Sequence, residues 1–138
     1  MLHITKIKPL YSSLVTTGER YKEDMIENGI IVSNKGDLKL YQKVIAIGST
    51  VRDINVGDTV MINPMNYAVM KYDKNSLQND LDNNKTIKWN LPWVTIDDEK
   101  GNPIECLLLN DRDIKFVFEG KETNEKILLA DKKPVLLS

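Results

Sequence analysis

Histidine and cysteine are almost missing from this chain of 138 residues, which holds one of each, His3 and Cys106. One histidine beside the chain start leaves no Ser/His or Cys/His pair and no histidine cluster for a metal. One cysteine excludes an internal disulfide and fits a reducing cytoplasm. Cys106 lies in the strand-like run Ile104–Leu109, where a free thiol is expected to be an inert core group. No excess of either charge exists either, with 19 Lys and Arg against 20 Asp and Glu. Nothing is therefore set aside to neutralise phosphates, and nucleic-acid binding is not expected. Apolar runs stop at about five residues, too short for a membrane helix. Met1–Leu10 mixes lysines with alternating apolar residues and does not read as a signal peptide.

Carboxylates do pair, at Asp80/Asp82, Asp97/Asp98 and Asp111/Asp113. Asp80–Asn84 begins like a calcium loop, but Lys85 stands where the sharp turn needs glycine and Leu91 where the loop needs its closing glutamate. The pairs read as solvated turn formers in Asn- and Gly-rich stretches. No enzymatic activity, metal or cofactor is expected. Hydrophobic residues at 41% and charged residues at 28% are the composition of a globular domain with a real core.

Short strands separated by turn residues dominate the pattern, and an all-β fold is predicted. Ile4–Ile7 and Leu10–Thr16 read as extended, with Pro9 between them marking a kink or strand edge. Leu40–Ile47 is the strongest strand, apolar on both faces at Val44–Ile47 and so expected at the centre of a barrel or sandwich. Val56-Gly57-Asp58 makes a tight turn into the strand Thr59–Ile62. From Pro64 to Pro103 the chain is broken repeatedly by Asn, Gly and Pro. Strands are predicted there at Tyr67–Tyr72 and Thr86–Trp89, with a turn of helix capped by Ser76 and running through Leu81. Val94–Ile96 and Ile104–Leu109 read as a hairpin, followed by a turn at Asp111–Asp113 and the strand Ile114–Phe118. The tail holds two further apolar runs, Ile127–Leu129 and Val135–Leu137.

One island stands apart. Gly29-Ile30-Ile31-Val32 is flanked by polar stretches, Thr17–Asn28 before it and Ser33–Lys39 after it. Thr17–Asn28 is either a short helix closed by Gly29 or a mobile loop, because it has many charges and few apolar anchors. The island itself is either an edge strand of the core or an exposed segment that needs a partner groove.

Three segments, in chain order, resemble the GroES (chaperonin-10) co-chaperonin family. Ile7-Lys8-Pro9-Leu10 with Leu14-Val15 is similar to the family's opening strand. Gly29–Val32, Lys43–Gly48 and Val56–Val60 are similar to its loop tripeptide, its central strand and its V-G-D turn. Leu107–Ile114 is similar to its closing hairpin, and the matched segments cover roughly half the chain. The resemblance implies a small GroES-like β-barrel with a mobile loop at 17–39. It implies a lid for a GroEL-like chaperonin ring, held through Gly29, Ile30, Ile31 and Val32, that assists the folding of client proteins. It also implies a homo-heptamer built by pairing the first strand of one subunit with the last of its neighbour, here through Ile7, Leu10 and Leu14 against Ile114, Phe116 and Phe118. The implied location is the bacterial cytoplasm, or that of the host if the protein is phage-encoded.

The chain also departs from the pattern. Ser49–Asn55 is too short for the family's roof hairpin, and residues 64–103 form an irregular insertion carrying Trp89 and Trp93, whose rings are expected to pack as a satellite core. A C-terminal extension, 119–138, runs past the usual family end, where it either reinforces the last strand or occupies the edge a neighbour needs. The alternative function is a structural or assembly protein that keeps the barrel and binds no chaperonin.

Overall fold

A computed structural model of the chain describes residues 1–72 and 85–125. The fold is all-β. Its strands are β1 (Ser13–Thr17), β2 (Met25–Glu27), β3 (Ile30–Ser33), β4 (Tyr41–Ile47), β5 (Thr59–Ile62), β6 (Ala68–Tyr72), β7 (Lys85–Trp89), β8 (Trp93–Asp97), β9 (Pro103–Asn110) and β10 (Ile114–Phe118). Six of them form an antiparallel sheet in the order β10-β5-β4-β1-β9-β8, while β2-β3 and β6-β7 are separate two-stranded ribbons. Among the described residues no helix is long and apolar enough to cross a membrane.

The sheet is curled by its connections. β9 and β10 are four strand spacings apart, about 19 Å across a flat sheet. Only the 3-10 turn Asp111–Asp113 joins them, and four Cα–Cα steps reach ~14 Å at most. The sheet must therefore bend to bring its ends together. It does not close into the expected barrel: among the described residues β10 and β8 are its two edges and share no ladder. On the β8 side, Ile4 forms a parallel bridge to Ile96 and its carbonyl accepts from the Asp97 amide at 2.7 Å, so the chain start lies on part of that edge.

Leu14, Val44, Ile54, Val60, Ile62, Leu107 and Leu109 form the core inside this curl, with Leu38, Ile47, Val51, Tyr67, Leu91 and Ile114 packed around it. Ile54 and Val51 come from the short connection 49–55, which folds inward rather than rising as a roof. β4 lies inside the sheet between β1 and β5. It alternates rather than burying both faces, with Val44 enclosed and Ile45 exposed. Its pairing with β1 slips by one residue between Val15 and Thr16, a bulge that resets which side chains face inward.

Two glycines explain how the strands are joined. Gly48 follows β4, donates its amide to Ser13 O at 2.8 Å, and lies so close to the Tyr11 carbonyl that a Cβ would overlap it. Gly57 takes φ of 97° in the turn that the Asp58 amide closes on the Asn55 carbonyl, with the Asp58 carboxylate accepting back from Asn55 N at 2.8 Å. Positive φ at the third turn position is what glycine supplies.

The closing turn is held from within. Asp113 is buried and accepts from Tyr67 Oη at 2.5 Å, Asn66 Nδ2 at 2.7 Å and Asn110 N at 3.0 Å, so both of its carboxyl oxygens are hydrogen-bonded. The span 64–103, expected as an irregular insertion, contributes β6, β7 and the sheet edge β8. The turn predicted at Ser76–Leu81 and the runs Ile127–Leu129 and Val135–Leu137 lie outside the described residues.

Candidate partner-docking site

Between β1 and β4 the chain leaves the sheet as one long antiparallel arm. Pairing starts at its root, where Lys39 N donates to Glu19 O at 3.1 Å, and continues through the Arg20–Leu38 bridge and Tyr21 N to Asp37 O at 2.8 Å. It ends in the β2–β3 ladder, Met25 opposite Ser33, Ile26 opposite Ile31 and Glu27 opposite Ile30. Asn28 and Gly29 close the tip with φ of 53° and 78°. Two successive positive φ values define a type I′ hairpin turn, for which Asn-Gly is the preferred pair. The short helix expected within Thr17–Asn28 does not form; the segment pairs at Glu19–Tyr21, bends at Lys22 and Glu23, and pairs again in β2.

The root is fixed by one buried polar side chain. Gln42, on β4, is 2% exposed. Its Oε1 accepts from Thr17 Oγ1 at 2.8 Å and Glu19 N at 2.9 Å, and its Nε2 donates to Glu19 O at 2.9 Å and Lys39 O at 2.7 Å. All four capacities of the amide are used, two on each nitrogen or oxygen. Both strands of the arm are thus gripped where they leave the sheet.

At the far end the arm presents apolar surface. Ile30, Ile31 and Val32 are 67%, 52% and 57% exposed. Neighbouring side chains of a strand point to opposite faces, so exposure of all three means that neither face of β3 is covered. The arm is anchored instead through Met25, which is buried.

A second polar grip lies along the outer side of β2. Asn124, 1% exposed, accepts from Ile26 N through Oδ1 at 3.0 Å and donates through Nδ2 to Asp24 O at 2.8 Å. Glu125 Oε2 accepts from Gly29 N at 3.1 Å. Glu122 accepts from Tyr21 Oη at 3.0 Å and from Tyr41 Oη at 2.5 Å, tying the arm to β4. Burial first, then the hydrogen bond to Glu122 and its charge, raise both phenols above their ordinary value. The Lys39 ammonium lies 5.5 Å from the Tyr21 ring and 5.6 Å from the Tyr41 ring. Sequence reading passed over Gln42, Glu122 and Asn124. Only Gln42 carried a local signal, a polar residue facing inward from an apolar strand.

The residues expected at a subunit interface divide. Leu14 is completely enclosed in its own core, and β1 is hydrogen-bonded along both edges, to β4 and β9. It therefore has neither a side chain nor a free edge for a neighbour, and that expectation is corrected. Leu10 is exposed, and Ile7 is half-buried. On β10, Phe116 is exposed, while Ile114 and Phe118 are half-buried, Ile114 against the core and Phe118 edge-on to Tyr41 at 6.0 Å. The outer edge of β10 carries no strand among the described residues.

Trp93 packs beside Gly18 with the Arg20 guanidinium 4.9 Å from its ring centroid, which braces the arm's root, while Trp89 is 47% exposed. Cys106 is buried, and burial pushes its thiol up. No known protein-family model matches the chain, and comparison with curated proteins finds no relative.

Proposed function

We propose that this chain is a co-chaperonin subunit, a lid that holds the apical domains of a GroEL-like chaperonin ring through Ile30, Ile31 and Val32 and so assists the folding of enclosed proteins. One observation carries the reading: an apolar triad uncovered on both faces, at the end of an arm that projects from a folded β-domain. Its place in the chain supports it, since the triad falls between the segments that resemble the GroES family.

Energetics favour several arms acting together. Burying the triad in a partner groove is worth ~1.5–3 kcal/mol per side chain, roughly 5–9 for one arm. Association itself costs about 4–15 kcal/mol. A single arm therefore binds weakly and releases readily. Arms joined in one particle gain about 10²–10⁴ in avidity without new contacts. A homo-heptamer supplies them, with β10, an outer strand of the sheet among the described residues, and exposed Phe116 meeting the stretch around Ile7 and Leu10 of the next subunit. The proposed location is the cytoplasm of a bacterium or of a phage's host.

Capture of the chain by a chaperonin ring, with and without ATP, tests the reading together with the particle mass in solution. We expect nucleotide-dependent capture of a sevenfold particle and its loss in Ile31→Asp. Because residue 31 is exposed, the substitution should move folding stability by no more than about 0.5 kcal/mol. Equal capture of both proteins, or of neither, refutes it.

The alternative, a structural or assembly protein that binds no chaperonin, is favoured by one observation, the side-chain grips that keep the arm ordered in the free subunit. It predicts the same fold with no capture.

A further inference from the structure

We infer that residues 119–125 form a strut that holds the β2–β3 arm ready for its partner, with Asn124 as its central positioning residue. A two-stranded hairpin by itself is at best marginally stable in water. Its β3 strand carries Ile30, Ile31 and Val32 outward, so packing around β3 does not sustain it, and Met25 on β2 is its buried apolar anchor. Further support comes from about a hundred residues later in the chain. Asn124 bonds both to Ile26 N and to Asp24 O, as a neighbouring strand would. Glu125 takes the Gly29 amide at the turn, and Glu122 holds Tyr21 and Tyr41 together. Asn124 is almost wholly enclosed, an expensive position for an amide unless all its bonds are made.

Two consequences follow. The grip blocks the outer edge of β2, so further pairing with the arm is directed to β3 and its triad. It also orders the arm before any encounter, removing from binding the entropic cost of fixing the loop backbone. Loss of the strut should leave the sheet folded and the triad intact while weakening docking. The effect on docking rests on the co-chaperonin reading; the ordering of the arm does not.

Amide hydrogen exchange on the full-length chain separates the two. In Asn124→Ala, exchange at Ile26 and Gly29 should rise at least about tenfold, the equivalent of ~1.4 kcal/mol, while β1, β4 and β9 amides stay protected. Glu125→Ala, which removes the acceptor of the Gly29 amide, should raise exchange at Gly29 with a smaller effect at Ile26. Unchanged exchange at both amides in both variants overturns the strut, as does equal loosening throughout the sheet in Glu125→Ala. Chaperonin capture should fall about tenfold in Asn124→Ala and be restored in part by Asn124→Ser. If exchange rises while the wild-type chain is never captured, the strut stands and the co-chaperonin reading falls. If capture occurs and is undiminished in a loosened arm, the ordering exists but does not serve docking, and the inference is refuted.

Discussion

Replacing Gln42 by leucine keeps the side-chain volume close and removes the side-chain amide from the arm's root. Four hydrogen bonds disappear, but their loss is not equally felt. Thr17 Oγ1 still accepts from Lys43 N at 3.0 Å, and Glu19 O still accepts from Lys39 N at 3.1 Å. Glu19 N and Lys39 O are left without the partner they had. Stranding a buried backbone group costs about 1–3 kcal/mol, and partial access to water at these two positions places the sum near 2–4 kcal/mol. For a domain of this size, roughly 3 °C of Tm is lost per kcal/mol, so Gln42→Leu should melt about 6–12 °C below the wild type. Urea unfolding followed by far-UV circular dichroism gives the free energy directly. Exchange at the Glu19 and Tyr21 amides should rise more than exchange within β9. Gln42→Glu should be worse than leucine, because a carboxylate oxygen would then face the Glu19 and Lys39 carbonyls. A cost below about 0.5 kcal/mol for Gln42→Leu would refute the reasoning, since the arm would then be held elsewhere.

Alkaline pH should destabilise the fold. Tyr21, Tyr41 and Tyr67 have raised pKa values, each chiefly through burial and then a hydrogen-bonded carboxylate. The folded state therefore holds protons that the unfolded chain releases near pH 10, so stability should be level below that pH and fall above it; absorbance at 295 nm should show these phenols ionising together with unfolding. Gly48→Ala should cost more than about 2 kcal/mol by equilibrium unfolding, because its Cβ meets the Tyr11 backbone rather than a side chain that can swing away; a neutral result would mean that the β1–β4 approach is looser than described. Cys106 should react with a thiol reagent only on unfolding, being buried with its thiolate disfavoured; rapid labelling of the native protein would contradict that.

Most of the sheet could be read from local pattern. β5, β8, β9 and β10 are short apolar runs bounded by Gly, Asn, Asp or Pro, and each forms within a residue or two of where those residues place it. β6 and β7 likewise fall at Ala68–Tyr72 and Lys85–Trp89, against predicted spans of Tyr67–Tyr72 and Thr86–Trp89. The hairpin tip carried a local turn signal, Asn28-Gly29, that the reading of Thr17–Asn28 as a helix or a loop passed over. The arm itself was not legible. Met25 and Ile26 offer little to bury, and the groups that keep β2 extended come from Gln42 and from residues 122–125.

Sequence alone therefore determined what depends on neighbours along the chain: an all-β domain, the limits of most strands of its sheet, the tight turn at Gly57 and the apolar character of Ile30–Val32. Tertiary structure decided what depends on residues far apart. It left β10 and β8 as the two edges of the curled sheet among the described residues, put Leu14 in the core rather than at a surface, and stood the triad in solvent on a paired arm. The reason is physical. A strand's preference for extension is written in its own side chains, but whether an edge is free or a side chain covered is set by partners that only folding brings near.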